Sequence, residues 1–279
     1  MSADAFVPAH IVALPVEPRA RRLVRRFGWS AGVVLEVAAI IGLWQFIVDG
    51  LHLGNPDFVP PPSEIWAALA RLAGTGVLAA NLGFSVGNFV GGYLLAATCG
   101  VGVGLAMGMS PFVNTALGPF VWTLYATPRI VIAPLLVIWF GFGSPSKIAV
   151  IFLLAFFPIL LNVLVGVREV DRQLLRAGAI FGAGRWDLVV KVVLPSILPY
   201  TLTGLRLGVG RGLIGVVIGE FIGSAAGLGY LIVRSSARFD LAESLAICAV
   251  LLVMANLSMA ALELARRRIA PWYRESGLL

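Results

Sequence analysis

One short motif in the chain has the spacing of a catalytic nucleophile. Residues 83–87 read GFSVG and match the G-x-S-x-G pattern that presents a serine at a sharp strand-to-helix turn in α/β hydrolases. Such a serine needs a histidine as its general base. The only histidines are His10 and His52, in an N-terminal tail and a loop. The motif also lies in a long apolar run that predicts a helix. We therefore interpret Ser85 as a residue of a packed helix.

The other patterns that could perform chemistry are equally weak. Residues 144–147 (SPSK) fit S-x-x-K only within a tight turn, and residues 141–147 lack the glycine and lysine geometry of a phosphate-binding loop. Cys99 and Cys248 lie inside apolar runs, where cysteine usually serves in packing. No His, Cys, Asp and Glu cluster has metal-ligand spacing. The sequence predicts no catalytic residue, no metal site and no cofactor bound by this chain.

The composition indicates instead a protein that crosses a membrane several times. Apolar residues make up 59% of the 279 residues and charged residues only 13%, against roughly 45–50% and 25% in soluble domains. The formal net charge is +7, and most basic residues fall into three segments, which the positive-inside rule places together in the cytoplasm. That distribution argues against a nucleic-acid surface. The three groups are Arg19, Arg21, Arg22, Arg25 and Arg26; Arg168, Arg172, Arg176, Arg185 and Lys191; and Arg266, Arg267, Arg268 and Arg274.

Six apolar runs are long enough to span a bilayer, which takes about 20 residues each. An even number of spans returns the C-terminus to the side of the N-terminus, in agreement with basic residues at both ends. We predict an all-α protein with a cytoplasmic tail (1–30), a six-helix transmembrane domain (31–264) and a second cytoplasmic tail (265–279). The predicted spans are 31–48, 81–108, 112–140, 147–167, 197–222 and 242–264.

Glycine and proline spacing predicts how these helices pack. Glycines at intervals of four residues align on one helix face and let a neighbouring backbone approach. The third run contains Pro119, Pro128 and Pro134, so we expect a bent or broken helix, which either lines a transport route or is only kinked. The glycine rows are Gly83, Gly87 and Gly91; Gly100, Gly104 and Gly108; Gly204, Gly208 and Gly212; and Gly215, Gly219 and Gly223.

The loop 49–80 is predicted to lie outside and to contain a short amphipathic helix. Three prolines at 60–62 form a stiff extended piece, and Ser63 is a good helix N-cap. The apolar residues of 63–73 then recur at helical spacing. This helix is expected to lie at the membrane interface, with a substrate or partner contact as the alternative.

The one long polar segment within the membrane domain is 168–195. Asp171 can cap a first helix, Gly182 and Gly184 end it, and a second helix runs from Trp186 until Pro195. A helix–glycine–helix element with an apolar face in the cytoplasm is suited to dock into another protein. An amphipathic loop resting on lipid headgroups is the alternative.

This segment also carries a resemblance to a known family. Gly182, nine residues, Val192, one residue and Leu194-Pro195 resemble the cytoplasmic-loop signature of ABC importer permeases: Glu-Ala-Ala, three residues, Gly, nine residues, Ile, one residue, Leu-Pro. Residues 176–178 depart from the opening triplet, since an arginine replaces the glutamate. The residues that the resemblance assigns to an ATPase-coupling loop are Arg176, Ala177, Gly178, Gly182, Trp186, Val192, Leu194 and Pro195.

Further motifs from about residue 35 to 265 are similar to the nitrate, sulfonate and taurine branch of this family. They are 60–64 (PPPSE), 134–143 (PLLVIWFGFG), 194–206 and 227–231 (GLGYL). The resemblance implies the type I ABC importer permease fold, a homodimer in the bacterial inner membrane, and no enzyme activity of its own. It also implies two partners, an ATPase subunit that binds the ATP and a periplasmic solute-binding protein.

The resemblance is compatible with more than one solute. The resemblance fits a small polar or anionic solute, such as nitrate, a sulfonate or taurine, with a vitamin or its precursor (thiamine pyrimidine, riboflavin) as an alternative. A stand-alone secondary transporter is the other alternative. The candidate translocation-pathway residues are Arg129, Arg206, Arg211 and Glu220. Charged side chains inside a bilayer usually face protein or water, so the arginines either flank a channel or pair structurally, for instance with Glu220.

Overall fold

The computed structural model describes residues 32, 35–51 and 58–270. These residues form helices joined by short turns, with no strand among them. The helices are α1 (35–50), α2 (Pro62–Gly74), α3 (Val77–Met109), α4 (Pro111–Ala126), α5 (Ala133–Phe140), α6 (Ser144–Arg168), α7 (Arg172–Ile180), α8 (Arg185–Leu188), α9 (Leu194–Phe221), α10 (Leu228–Ala237) and α11 (Leu241–Ile269).

Four continuous helical segments are long and apolar enough to cross a membrane: α3, α6, Arg185–Phe221 and Leu241–Arg268. A fifth crossing is formed if α4 and the segment Arg129–Phe140 count as one bent span. The first predicted span, 31–48, lies partly outside the described residues. The structure therefore confirms a multi-pass helical protein, and six spans remain a prediction.

The predicted break in the third span is confirmed, and it lies at a single proline. α4 and the segment Arg129–Phe140 meet at an angle of 91°. Thr127 is extended, with ψ of 137°, which is the conformation that the ring of Pro128 imposes on the residue before it. The other two prolines do not break the chain, since Pro119 lies inside α4 and Pro134 lies in the first turn of α5.

The chain divides into two compact units, residues 1–63 and 64–279. In the first unit, Ser63 exchanges two hydrogen bonds with Gln45: the Ser63 N–H donates to Gln45 Oε1 (3.0 Å), and Gln45 Nε2 donates to Ser63 Oγ (3.1 Å). The prediction that Ser63 caps α2 is wrong, because the helix already begins at Pro62. A proline suits this position because its missing N–H is one that a first turn leaves unbonded.

In the second unit, α6 packs lengthwise between α3 and α9 through close backbone approach. A Cβ atom on Gly104 would lie 2.8 Å from the carbonyl oxygen of Leu160, and one on Gly215 would lie 2.8 Å from Cα of Ile151. Such gaps admit only glycine. The glycines of α3 and α9 whose added Cβ would come within about 3.0 Å of α6 are Gly92, Gly100, Gly104, Gly108, Gly204, Gly208 and Gly215.

The four-residue glycine rows are therefore confirmed only in part. Gly83 and Gly87 face open space, whereas Gly92, which lies outside every predicted row, would place a Cβ 2.7 Å from Ile151. On this part of α3 the glycine in tightest contact with α6 is Gly92, one residue after Gly91, the last glycine of the predicted row. Spacing alone does not reveal which glycine row faces a neighbour.

The predicted short amphipathic helix at 63–73 is confirmed as α2, and one side of it packs within the second unit. Leu72 joins a core cluster with Phe89 of α3, and Ala68 is buried. Trp66 points away from that core and is 72% exposed. The apolar residues of α2 thus include two buried ones, Ala68 and Leu72, and the solvent-exposed Trp66.

Candidate functional site

The polar segment 168–195 begins with a helix whose ends were both predicted. Asp171 caps α7 by accepting a hydrogen bond from the backbone N–H of Gln173 at 2.7 Å. Gly182 follows the helix with φ of +82°, a left-handed conformation that favours glycine. The N–H of Ala183 then donates to the carbonyl oxygen of Gly178 at 3.0 Å, and the N–H of Gly182 donates to that of Ala179 at 3.0 Å, the two hydrogen bonds of a Schellman motif.

A second glycine in this segment lets the two short helices touch. A Cβ atom on Gly178 would lie 2.6 Å from Cδ2 of Leu188. Because no side chain intervenes, α7 folds back directly against α8. Gly184 then serves as the N-cap residue of α8 and does not end α7. The glycines at 178 and 182 therefore shape a compact helix–turn–helix.

The prediction that Leu194-Pro195 ends the second helix is wrong. The chain stays helical from Arg185 to Phe221, through a π-helical turn at Val189–Val193 that leads into α9. A proline in the first turn of an α-helix breaks no hydrogen bond. The hydrogen bonds of the π turn before Pro195 span five residues, and the α-helical pattern begins only with α9, so Pro195 lies in the first turn of that helix.

The segment has one face turned into the protein and one face turned away. Val170, Val193 and Ile197 are buried in a cluster with Val163 of α6 and fix the segment to the ends of the long helices. The docking face is defined as four exposed large apolar residues of the segment, namely Leu174, Ile180, Phe181 and Trp186, with Phe181 at 90% and Ile180 at 84%. Arg176 is also exposed. The segment thus exposes these four large apolar side chains together with Arg176.

A second constellation holds the start of α10, and we call it the α10 clamp: Asn81, Ser85 and Glu220. Three successive backbone N–H groups at the start of α10 each donate to one of these side chains. Gly227 donates to Asn81 Oδ1 (2.7 Å), Leu228 to Ser85 Oγ (2.8 Å) and Gly229 to Glu220 Oε2 (2.8 Å). Helix N-termini leave such groups without intrahelical partners, so the clamp supplies partners from α3 and α9.

Glu220 is the centre of this clamp and is almost completely buried, at 1% exposure. It also accepts a hydrogen bond from the Ser85 hydroxyl at 2.7 Å. The alternative in which Arg211 pairs with Glu220 is wrong, because the carboxylate is occupied by Ser85 and by the backbone of α10. Ser85, the serine of the G-x-S-x-G motif, thus has a structural role as a hydrogen-bonding residue. Asn81 was missed, although its spacing of four from Ser85 places both on one helix face.

Lys147 is buried close to this region, although the sequence offers it only as part of a turn. Its ammonium group donates to the carbonyl oxygens of Phe142 (2.7 Å) and Gly223 (3.2 Å). These carbonyls follow the C-terminal ends of α5 and α9, where carbonyl groups lack intrahelical partners and favour a positive charge. Lys147 therefore ties two helix ends together.

The candidate pathway arginines fall into three different environments. Arg206 contacts Glu263 of α11 at 3.2 Å, and Arg266 and Arg267 also contact that carboxylate. Arg206 thus joins α9 to α11. Arg211 is exposed on α9. Arg129 lies against the rings of Tyr125 and Phe157 at the helix break, with its Cζ atom 5.1 Å from each ring centroid.

The sequence matches the family model described as binding-protein-dependent transport system inner membrane component over residues 99–275. The matched region includes the whole segment 168–195, the helix break and the glycines that pack against α6 on α9. The chain is also similar to individual transport proteins over most of its length. These similarities exclude the stand-alone secondary transporter that the composition left open.

Three relatives illustrate the range of these proteins. The taurine transport system permease protein TauC of Escherichia coli (strain K12) is 36% identical over 91% of this chain and 95% of that protein. The putative aliphatic sulfonates transport permease protein SsuC of Bacillus subtilis (strain 168) is 32% identical over 89% of each chain. The nitrate import permease protein NrtB of Leptolyngbya laminosa is 28% identical over 83% of this chain and 85% of that protein.

A solved structure supports the fold. It is described as the crystal structure of an amino acid ABC transporter with histidines, and it aligns with a TM-score of 0.58 at 17% identity, over 72% of this chain and 97% of that chain. At this identity the likeness concerns the fold alone. From the family match and the relatives together, this chain belongs to the binding-protein-dependent transport system inner membrane components, the non-enzymatic permease subunits of ABC importers.

Proposed function

We propose that this chain, as the translocation subunit of an ABC importer, binds its ATPase subunit through segment 169–191 and conducts a small polar or anionic solute past Arg129 and Arg211. The family implies both the ATPase and a solute-binding protein as partners. ATP would be bound by the ATPase, since the sequence of this chain offers no phosphate-binding loop.

The observation that supports the coupling role is the docking face. Large apolar side chains at this level of exposure usually mark a protein or membrane contact. Here they are carried on two short helices whose geometry is fixed by Gly178, Gly182 and the inward cluster around Val193. A rigid, projecting apolar surface can fill a pocket on a partner and transmit its movement to α9, with which α8 is continuous.

Phe181→Glu tests the docking face directly. The substitution puts a charge where Phe181 would be buried in the partner, and an unpaired buried charge is costly, so we expect co-purification of the ATPase subunit to fall at least tenfold. The measurement is the ATPase-to-permease ratio after affinity purification through the permease. The matched control is Phe239→Glu, at a similarly exposed phenylalanine between α10 and α11. An unchanged ratio in Phe181→Glu would refute the docking role.

The proposed solute class follows from the relatives and from the charges along the bent span. The named relatives are permeases for taurine, aliphatic sulfonates and nitrate. In this chain Arg129 and Arg211 add positive charge within segments that are apolar enough to span a membrane. Such charges are expensive in a bilayer unless they face protein or water, which favours a route for polar or anionic solutes. Arg206 and Glu220 would support this route by holding α9 to α11 and to α10.

We further propose a homodimer in the bacterial inner membrane, with both termini in the cytoplasm. The basic residues of both tails and of segment 168–195 would then lie on one side, as the positive-inside rule requires. Cysteines introduced at Ser63 and Ser276 should react with a membrane-impermeant thiol reagent from outside and from inside, respectively, in a background without Cys99 and Cys248. The same two sites reacting from the opposite sides would overturn this orientation.

A further inference from the structure

A cavity of about 430 Å³ lies between α6 and α9. Sites for small molecules typically enclose about 300–1,000 Å³, so a small solute fits. Val165 and Thr203 in its wall are exposed, which shows that the cavity opens at the surface of the two helices. None of the described lining residues is charged. They are Leu161, Asn162, Val165, Pro199, Tyr200 and Thr203.

Two glycine contacts hold polar side chains of this cavity in place. A Cβ atom on Gly204 would lie 2.9 Å from Cβ of Asn162, and one on Gly166 would lie 2.7 Å from Cβ of Tyr200. Asn162 therefore packs directly on the backbone of α9, and Tyr200 packs directly on the backbone of α6. Because these side chains are already fixed, little conformational entropy is lost there when a ligand binds.

The hydrogen bonds within α6 and α9 leave the cavity with more acceptors than donors. Asn162 Nδ2 donates to the carbonyl oxygen of Pro158 at 2.7 Å, and the Thr203 hydroxyl donates to that of Pro199 at 3.0 Å. The amide oxygen of Asn162 and the hydroxyl oxygen of Thr203 keep lone pairs for a ligand. The Tyr200 hydroxyl has no hydrogen-bond partner among the described residues. The wall thus suits a ligand group that brings several N–H donors.

The cavity lies within the span, nearer to the end that leads into segment 168–195. Asn162 precedes the end of α6 at Arg168 by a rise of about 9 Å, at about 1.5 Å per residue. A hydrocarbon core is about 30 Å thick, so this depth is below the headgroups of a lipid. Polar groups left unpaired against lipid chains are unfavourable. The polar wall therefore fits a polar ligand better than an acyl chain.

We propose that this cavity takes the primary ammonium group of a small polar solute. The three N–H donors of an ammonium match the acceptor oxygens of Asn162 and Thr203 and the phenol oxygen of Tyr200. The tyrosine ring can also stabilise a cation placed over its face. An oxoanion is disfavoured here because it brings only acceptors. The inference rests on the proposed function, since it assigns a donor-bearing end of the conducted solute to one place in the membrane domain.

Fluorine NMR of the purified permease–ATPase complex in lipid nanodiscs tests the site without knowledge of the natural solute. The probe is trifluoropropylammonium, observed by saturation transfer, and the controls are the matched alcohol, trifluoropropanol, and the matched anion, trifluoropropanesulfonate. We expect the displaceable signal of the ammonium probe to exceed that of each control at least fivefold. Propylammonium should displace the probe at lower concentrations than tetramethylammonium, which carries the charge without an N–H donor.

Two substitutions each remove one oxygen from the cavity and keep the shape of the side chain. We expect Thr203→Val and Tyr200→Phe each to reduce the displaceable signal at least threefold. The matched control is Thr201→Val, in the same helix but outside the cavity lining. The Thr201 hydroxyl makes the same kind of hydrogen bond, to the carbonyl oxygen of Ile197 at 3.1 Å. This control should leave the signal unchanged.

The lipid composition of the discs distinguishes a solute from a lipid, because phosphatidylethanolamine also carries a primary ammonium group. One sample contains phosphatidylcholine alone, and the other contains phosphatidylcholine together with phosphatidylethanolamine. Equal signals in the two samples support a site for a small solute. A signal that phosphatidylethanolamine abolishes would assign the cavity to a lipid headgroup and overturn the solute assignment.

Three further results would overturn the site. They are a wild-type complex with no displaceable ammonium signal, displacement by tetramethylammonium as efficient as by propylammonium, and signals from Thr203→Val and Tyr200→Phe equal to that of the wild type. The wild-type measurements decide the matter even if a variant fails to assemble. The ATPase-to-permease ratio separates this test from the proposed coupling role, since that ratio should stay normal in Thr203→Val whether or not the ammonium binds.

Discussion

Replacing Gly227 by alanine is expected to destabilise the membrane domain by about 3 kcal/mol and to reduce the yield of assembled complex. Gly227 has φ of +110°, a conformation that residues with a Cβ rarely adopt. The added methyl group would also collide with the carboxylate of Glu220, the buried centre of the α10 clamp. Overpacking of this kind typically costs 1–3 kcal/mol. The melting temperature of the detergent-solubilised permease measures the effect.

The matched control for this change is Gly210→Ala. Gly210 lies within α9 at helical dihedrals, and a Cβ atom there meets nothing within 4 Å. Alanine is favoured over glycine in a helix by up to about 1 kcal/mol, so this variant should melt at the same temperature or slightly higher. If Gly227→Ala and Gly210→Ala melt together, the clamp does not fix α10 as described.

The local features that were predictable from the sequence are those in which one residue type dictates one backbone state. Pro128 forces an extended residue before it and breaks the third span, and Asp171 caps α7 because a short carboxylate accepts from the first turn. The positive φ of Gly182 follows in the same way. Each of these depends on a few neighbouring residues, so no knowledge of the tertiary structure is required.

The features that escaped prediction depend on how distant segments meet. Glu220 and Ser85 are far apart in sequence, and their contact exists only because α3 and α9 both pack on α6. Gly83 and Gly92 have equal helical propensity, but only Gly92 faces Ile151. Pro195 was expected to end a helix because the π turn before it leaves no trace in hydropathy or spacing. Tertiary placement therefore decides which residues of a pattern are used.

The remaining large effect is expected from Gly182→Glu, which should abolish recovery of the ATPase subunit while the permease stays inserted in the membrane. The backbone cost is about 1 kcal/mol, because a non-glycine residue must hold φ near +82°. The side chain itself has room, since a Cβ atom at this position meets nothing within 4 Å. The loss therefore comes from a negative charge placed beside the docking face, next to Phe181. It is measured as the ATPase-to-permease ratio after affinity purification.

Gly76→Glu separates the charge from the backbone strain. Gly76 precedes α3 with φ of +73° and also has no atom within 4 Å of an added Cβ, so the same substitution imposes nearly the same conformational cost. It lies far along the chain from segment 169–191, in the loop that the charge pattern assigns to the opposite side of the membrane. We expect Gly76→Glu to bind the ATPase normally and to melt only slightly lower. Equal loss of the ATPase in both variants would attribute the effect to strain, and normal binding in Gly182→Glu would remove segment 169–191 as the coupling element.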